Sequence, residues 1–216
     1  MFRTVRVVAG TLRGRPLSAP PGTTTRPITD RVKETLFNIL GHRLASPGEL
    51  PAIDILDVFS GPGSLGIEAL SRGARTCTFV ERDRRALRSL RQNIGGCYLR
   101  GVTSILADNA WTMRPPETPD GFGLIFVDPP YRDGQDPLRI IDLLERLAIV
   151  LSDDGLMVYR CDRKSPALPV DEFRLLRCLD ERAFGRMRVI LLGHAADESL
   201  SAADAEADDP EPNDTP

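Results

Sequence analysis

Ile53-Asp54-Ile55-Leu56-Asp57-Val58-Phe59-Ser60-Gly61-Pro62-Gly63-Ser64-Leu65-Gly66 decides the fold: an apolar strand runs into a full Gly-x-Gly-x-x-Gly, which opens a helix. Glycines at that spacing permit a tight turn and let a cofactor approach the backbone. Further apolar runs at 75–80, 104–107, 124–127 and 156–159 alternate with amphipathic stretches at 64–72, 83–94 and 136–150. Such alternation predicts a Rossmann-like α/β domain, a doubly wound and mostly parallel sheet. In the last amphipathic stretch Leu138, Ile141, Leu144 and Ala148 share one side, as packing on a sheet requires. Two final runs, 173–176 and 189–192, have no helical pattern between them and are expected to pair as an antiparallel edge hairpin, completing seven strands.

Ahead of this core, Val5-Arg6-Val7-Val8 leads across Gly10 and Gly14 to Arg15-Pro16-Leu17, which reads as a hairpin with an Arg13-Gly14-Arg15 tip. After a loop through Pro20-Pro21-Gly22, Thr29 or Asp30 caps a helix whose Val32, Leu36 and Leu40 share a face. Residues 1–50 are read as part of the same domain as a core at 51–194. The segment 195–216 is rich in Ala, Asp, Glu, Pro and Ser. With little apolar surface to offset its ordering entropy, it is expected to be a disordered, solubilising acidic tail.

The formal charge of −3 hides a division along the chain. Residues 197–216 carry eight acidic and no basic side chains, so the rest holds 28 Lys+Arg against 23 Asp+Glu. Residues 1–43 carry eight basic side chains against Asp30 and Glu34, a composition suited to a phosphate-binding face. Cys77, Cys97, Cys161 and Cys178 are widely spaced, without a Cys-x-x-Cys pair, and read as reduced packing residues that hold neither metal nor disulfide. No apolar run approaches the length of a bilayer span, and a cytoplasmic monomer is expected.

The chemistry gathers at the strand ends. Glu81 lies twenty residues beyond Gly61, where a carboxylate can accept both hydroxyls of a ribose. Asp57 precedes the glycine loop and Asp108 ends the third strand. A cofactor site lined with carboxylates suits the sulfonium of S-adenosylmethionine better than the pyrophosphate of a dinucleotide. The fourth strand ends in Asp128-Pro129-Pro130-Tyr131. Asp128 can accept a hydrogen bond from an amine, the prolines remove backbone donors, and Tyr131 offers a stacking face. An aromatic amine is a poor nucleophile because its lone pair is delocalised into the ring. Acceptors at the Asp128 carboxylate and the Pro129 carbonyl would localise that pair for attack on a methyl group. The tetrapeptide does not choose between guanine and adenine, or between RNA and DNA, and a non-catalytic RNA-binding relic is a further reading.

From about Arg6 to Leu192 the chain resembles the RsmD family of bacterial small-subunit ribosomal RNA methyltransferases. The motifs are Arg6-Val7-Val8-Ala9-Gly10 with Arg13-Gly14-Arg15, the block from Arg26-Pro27-Ile28-Thr29-Asp30-Arg31 to Asn38, the run from Asp57 to Gly66 continuing to Ala74, and Asp128 to Tyr131. The resemblance implies methyl transfer from S-adenosylmethionine to the exocyclic N2 of one guanine in 16S rRNA, guanine 966 in the usual bacterial numbering. It implies free 16S rRNA or an assembling small ribosomal subunit as partner. It places Gly61, Gly63 and Gly66 by the methionine part of the cofactor, with Asp57 and Phe59 beside them, Glu81 by the ribose, and Asp108 with Asn109 by the adenine. Arg26, Thr29 and Arg31 would border the same pocket. Asp128, Pro129, Pro130 and Tyr131 would hold the guanine, and Arg13 and Arg15 would grip RNA phosphates. The family pattern has an acidic residue near position 160, where this chain has Arg160-Cys161-Asp162-Arg163-Lys164. Arg160, Arg163 and Lys164, with Arg132, are expected to add RNA contacts.

Overall fold

The structure, a computed structural model, describes residues 5–20, 28–130 and 135–195. Tyr131, Arg132, Arg26 and the acidic tail therefore lie outside the described residues. Seven strands form one sheet: β3 (Asp54–Val58), β4 (Thr76–Val80), β5 (Thr103–Leu106), β6 (Phe122–Val127), β7 (Leu151–Asp162), β8 (Leu176–Phe184) and β9 (Met187–His194). Their order is β5-β4-β3-β6-β7-β9-β8. The first five are mutually parallel, and β9 pairs antiparallel with both β7 and β8.

Strand alternation sends neighbouring residues to opposite faces. Ile55, Phe79, Leu124, Phe126 and Val158 pack with helices α1 (Asp30–Arg43), α2 (Ser64–Ser71) and α3 (Arg84–Gly96). Leu56, Val58, Val80, Ile125, Val127 and Met157 pack with α4 (Pro137–Ala148) on the other face. Every residue of β3 and β6 is buried; β6 accordingly reads as an unbroken apolar run, whereas β3 carries two buried carboxylates, Asp54 and Asp57, within its apolar stretch.

The amino-terminal hairpin is a short pair, β1 (Val5–Arg6) with β2 (Pro16–Leu17), and its Val5, Val7 and Leu17 join the α1–α3 side of the core. A buried charge cluster fastens it. Both oxygens of Glu68 on α2 accept backbone N–H bonds, from Val8 at 2.8 Å and Ala9 at 3.0 Å. Arg72 donates to Glu68 at 3.0 Å, and the Lys33 ammonium, 3.4 Å from Glu68, also donates to the Arg6 carbonyl. Lys33 is thus buried on α1 beside Leu36, Phe37 and Leu40, whereas Val32, expected on that face, is half-buried. Thr29 is the N-cap, accepting from Val32 N.

Two expectations are corrected. The edge strand lies at Leu176–Phe184, not 173–176: its Arg177, Asp180, Glu181 and Arg182 face largely outward, so no apolar run marks it. Charged residues on an edge strand also block pairing with other chains. On α4 the buried set is Ile140, Ile141, Leu143, Leu144, Leu147 and Ala148, and Leu138 is 62% exposed. Leu138 sits in the first turn of α4, ahead of the first buried position, Ile140.

Candidate active site

Register assembles the site. Val80, Val58, Val127 and Tyr159 form one row across β4, β3, β6 and β7. The next residue along β4, β6 and β7 is Glu81, Asp128 and Arg160 respectively. By strand parity these side chains, with Asp57 two residues beyond Ile55, leave the sheet on the α1–α3 face. A cavity of about 640 Å³ opens there, lined among others by Asp57, Phe59, Gly61, Glu81, Asp108 and Asp128. It lies outside the carboxyl ends of the parallel strands, where ligands of open α/β sheets bind.

The glycine loop is built by backbone torsions that most side chains resist. Phe59, Gly61 and Gly63 have φ of 61°, 55° and 84°, so the chain leaves β3 and reverses into α2 within five residues. The glycines divide their work. A Cβ on Gly61 would meet nothing within 4 Å, so its backbone is open to the cavity. A Cβ on Gly63 would sit 2.5 Å from Leu90, and one on Gly66 2.4 Å from Phe79. Those two allow helices to close on the sheet, and neither lines the cavity.

Glu81 is held by three backbone N–H groups: Gly61 at 2.9 Å on one oxygen, Arg82 and Asp83 at 2.7 Å on the other. The strand end and the glycine loop are thereby tied together, with the carboxylate at the cavity wall. Asp57 is fully buried and accepts from Gly66 N at 2.9 Å. Burial pushes its carboxyl up to about 7; the Gly66 N–H opposes the shift, and the charges of Asp128 and Glu81 add to it. Asp108 lines the cavity and accepts from the Asn109 N–H at 2.6 Å. Asn109 is turned to Arg82 and the Trp111 N–H instead. Ile28 lines the cavity, whereas Thr29 caps α1 and Arg31 is exposed outside the lining.

Asp128 is a member of a bidentate ion pair. Arg160 donates through Nε at 2.7 Å to one carboxylate oxygen and through Nη2 to the other. Arg160, expected as an RNA contact, is buried against Asp128 and lines the same cavity. Pro130 lines the cavity beside Asp128, and Pro129 is buried. Arg163 and Lys164 are exposed just past the carboxyl end of β7, next to an Asp162 that lies 3.9 Å from Arg186. Arg13 is exposed in the hairpin turn, and Arg15 donates to the Gly96 carbonyl at 3.1 Å.

Sequence reading missed two serines. Ser60 Oγ and Ser64 Oγ are buried without a protein partner, on residues that line the cavity. Unpaired buried hydroxyls call for a ligand's polar groups. Their positions inside the glycine motif were the available signal. The whole donor set fits S-adenosylmethionine: a carboxylate for ribose hydroxyls, open backbone at Gly61, free hydroxyls, and acidic walls for a sulfonium. Among the described residues no cluster of His, Cys, Asp or Glu could hold a metal ion, and no helix is long and apolar enough to cross a membrane.

Residues 5–193 match the model of the family described as Conserved hypothetical protein 95. The chain belongs to this family. It is the RsmD family that the sequence motifs resemble. The "Putative rRNA methyltransferase YlbH" of Bacillus subtilis is 37% identical over 165 residues, 74% of this chain and 84% of that one. The "Ribosomal RNA small subunit methyltransferase D" of Escherichia coli K12 is 37% identical over 152 residues, covering 70% and 68%. Among solved structures, a putative methyltransferase, yhhF, from Escherichia coli superposes with a TM-score of 0.71 at 32% identity, covering 90% of this chain and 99% of that one. This member of the RsmD family is a methyltransferase with the Rossmann-like fold of class I enzymes.

Proposed function

We propose that the protein transfers a methyl group from S-adenosylmethionine to the exocyclic N2 of a guanine in 16S rRNA, corresponding to guanine 966 in the usual bacterial numbering. The observation that carries this reading is the Asp128 carboxylate, fixed by Arg160 at the wall of a cofactor-sized cavity in a chain of this family. A carboxylate offers about four acceptor sites on its two oxygens. Arg160 takes one on each oxygen, which leaves acceptors for the N–H donors of an incoming base.

Gly61, Glu81 and Asp108 would hold S-adenosylmethionine in the cavity, and its sulfonium would supply the electrophilic methyl group, with the thioether as leaving group. Asp128 and the Pro129 carbonyl would accept from the amine hydrogens and localise the nitrogen lone pair. Tyr131 would stack on the ring. The proton displaced from nitrogen passes to water after the N–C bond has formed, so no strong base is required. Rate enhancement then comes mainly from alignment, where orientation is worth up to roughly 7–11 kcal/mol. Arg160 serves alignment by holding the plane of the Asp128 carboxylate.

Incubation of the purified protein with labelled cofactor and 16S rRNA, free or in small subunits lacking this modification, should yield N2-methylguanine in the nucleoside digest. Label in N6-methyladenine, or in no nucleoside, would overturn the substrate assignment.

A further inference from the structure

Helix α3 carries Arg84, Arg85, Arg88 and Arg91, and Arg100 follows it; all five are exposed, and no acidic residue occurs between positions 84 and 107. None of them makes an ion pair among the described residues, although ion pairing is common elsewhere in the molecule. Arg146 pairs with Asp142 on α4, Arg114 with Glu117, and Arg182 with Asp180. Like charges at i, i+4 and i+7 destabilise a helix, so Arg84, Arg88 and Arg91 carry a cost that nothing on α3 offsets.

The stripe has two defined ends. Arg84 and Arg85 line the cofactor cavity. About 18 Å along the helix axis, just past Gly96, stands Tyr98, 84% exposed and in the left-handed region at φ 60°. A non-glycine residue there is strained by roughly 1–2 kcal/mol, and Tyr98 returns none of it through burial. The Arg15 guanidinium lies 5.6 Å from its ring centroid and is anchored to the Gly96 carbonyl, while Arg100 lies against Gly95. An exposed aromatic ring flanked by arginines is what stacks an unpaired nucleobase, and a row of arginines at helical spacing is what tracks a phosphate backbone.

The geometry points to a single-stranded RNA track along α3, from the mouth of the cofactor cavity to a base-stacking platform at Tyr98. The track rests on the proposed RNA substrate and specifies how that RNA is held. Its occupant is the ribose-phosphate strand flanking the target nucleotide, with Arg88 and Arg91 on phosphates and Tyr98 under a base.

The test is equilibrium binding of a 16S rRNA fragment across a salt series, with methylation of the same fragment measured separately. Arg88→Glu/Arg91→Glu is expected to weaken binding at least 10-fold at physiological salt and to lower the slope of log affinity against log salt by about 2. Tyr98→Ala is expected to weaken binding about 5- to 100-fold, and Tyr98→Phe to restore it. Affinity for S-adenosylmethionine should stay within two-fold in all three, which reports an intact fold. Wild-type RNA affinity and salt slope in the variants would overturn the track, even if the fragment is methylated. Loss of binding in the variants, together with no methylation by the wild type, would keep the track and sink the proposed reaction.

Discussion

Asp128 and Arg160 occupy adjacent strand ends because β6 and β7 are in register, and their pairing decides what each can do. Asp128→Ala should lower kcat at least about 100-fold, the scale on which misplaced reactants lose rate, with cofactor affinity within a few-fold by calorimetry. Arg160→Met should also act on kcat, leaving the KM for RNA near wild type, and Arg160→Lys should recover part of the loss. A rise in KM alone would return Arg160 to the role of an RNA contact. Asp57 gives a pH signature. Its folded-state value of about 7 lies above the ordinary 3.8, so its contribution to stability is full below pH 3.8 and is lost as pH rises towards 7. Denaturant titrations should show wild type losing stability relative to Asp57→Asn across that window. A cation in the cavity favours the ionised carboxylate, so cofactor affinity should strengthen several-fold from pH 6 to 8 in wild type and stay flat in Asp57→Asn.

Among the elements, the glycine loop and the amino-terminal hairpin separate binding from stability. Gly66→Ala drives a methyl group into Phe79 and Cys77 and should destabilise by about 1–3 kcal/mol. Gly61→Ala has free space and should cost only about 1 kcal/mol through its positive φ, while weakening cofactor binding more than Gly66→Ala does. Thermal melts and cofactor titrations on the two variants would expose any reversal. Glu68→Ala strands the buried Lys33 and Arg72 charges and frees the Val8 and Ala9 N–H groups. A loss of about 3–5 kcal/mol is expected, with proteolytic cleavage of the hairpin appearing before global unfolding. The parallel strands and their helices were legible because burial on both faces writes apolar runs. Strand β8 was not, because an edge strand needs no such run. The Glu68 clamp was hidden too: Lys33, Glu68 and Arg72 look like surface charges until the fold brings α1, α2 and the hairpin together.

Across the molecule, the site residues at strand ends were placed by sequence because each strand stops at the same edge of the sheet. The glycine motif, Glu81 and Asp128 could be read for that reason. What remained hidden was partnership: that Gly63 and Gly66 serve packing, that Ser60 and Ser64 face the cavity, and that Arg160 turns inward to Asp128. Each of these depends on which side chain a neighbouring strand or helix presents. The charge division also gains a location, since five exposed arginines without an ion pair among the described residues follow one another on and just past α3. The most direct measurement of the central claim is mass-spectrometric mapping of modified guanines in 16S rRNA from cells with and without this gene. The account predicts that one N2-methylguanine, at the position corresponding to guanine 966, disappears without the gene and returns with the wild-type chain but not with Asp128→Ala. An unchanged N2-methylguanine profile would contradict it.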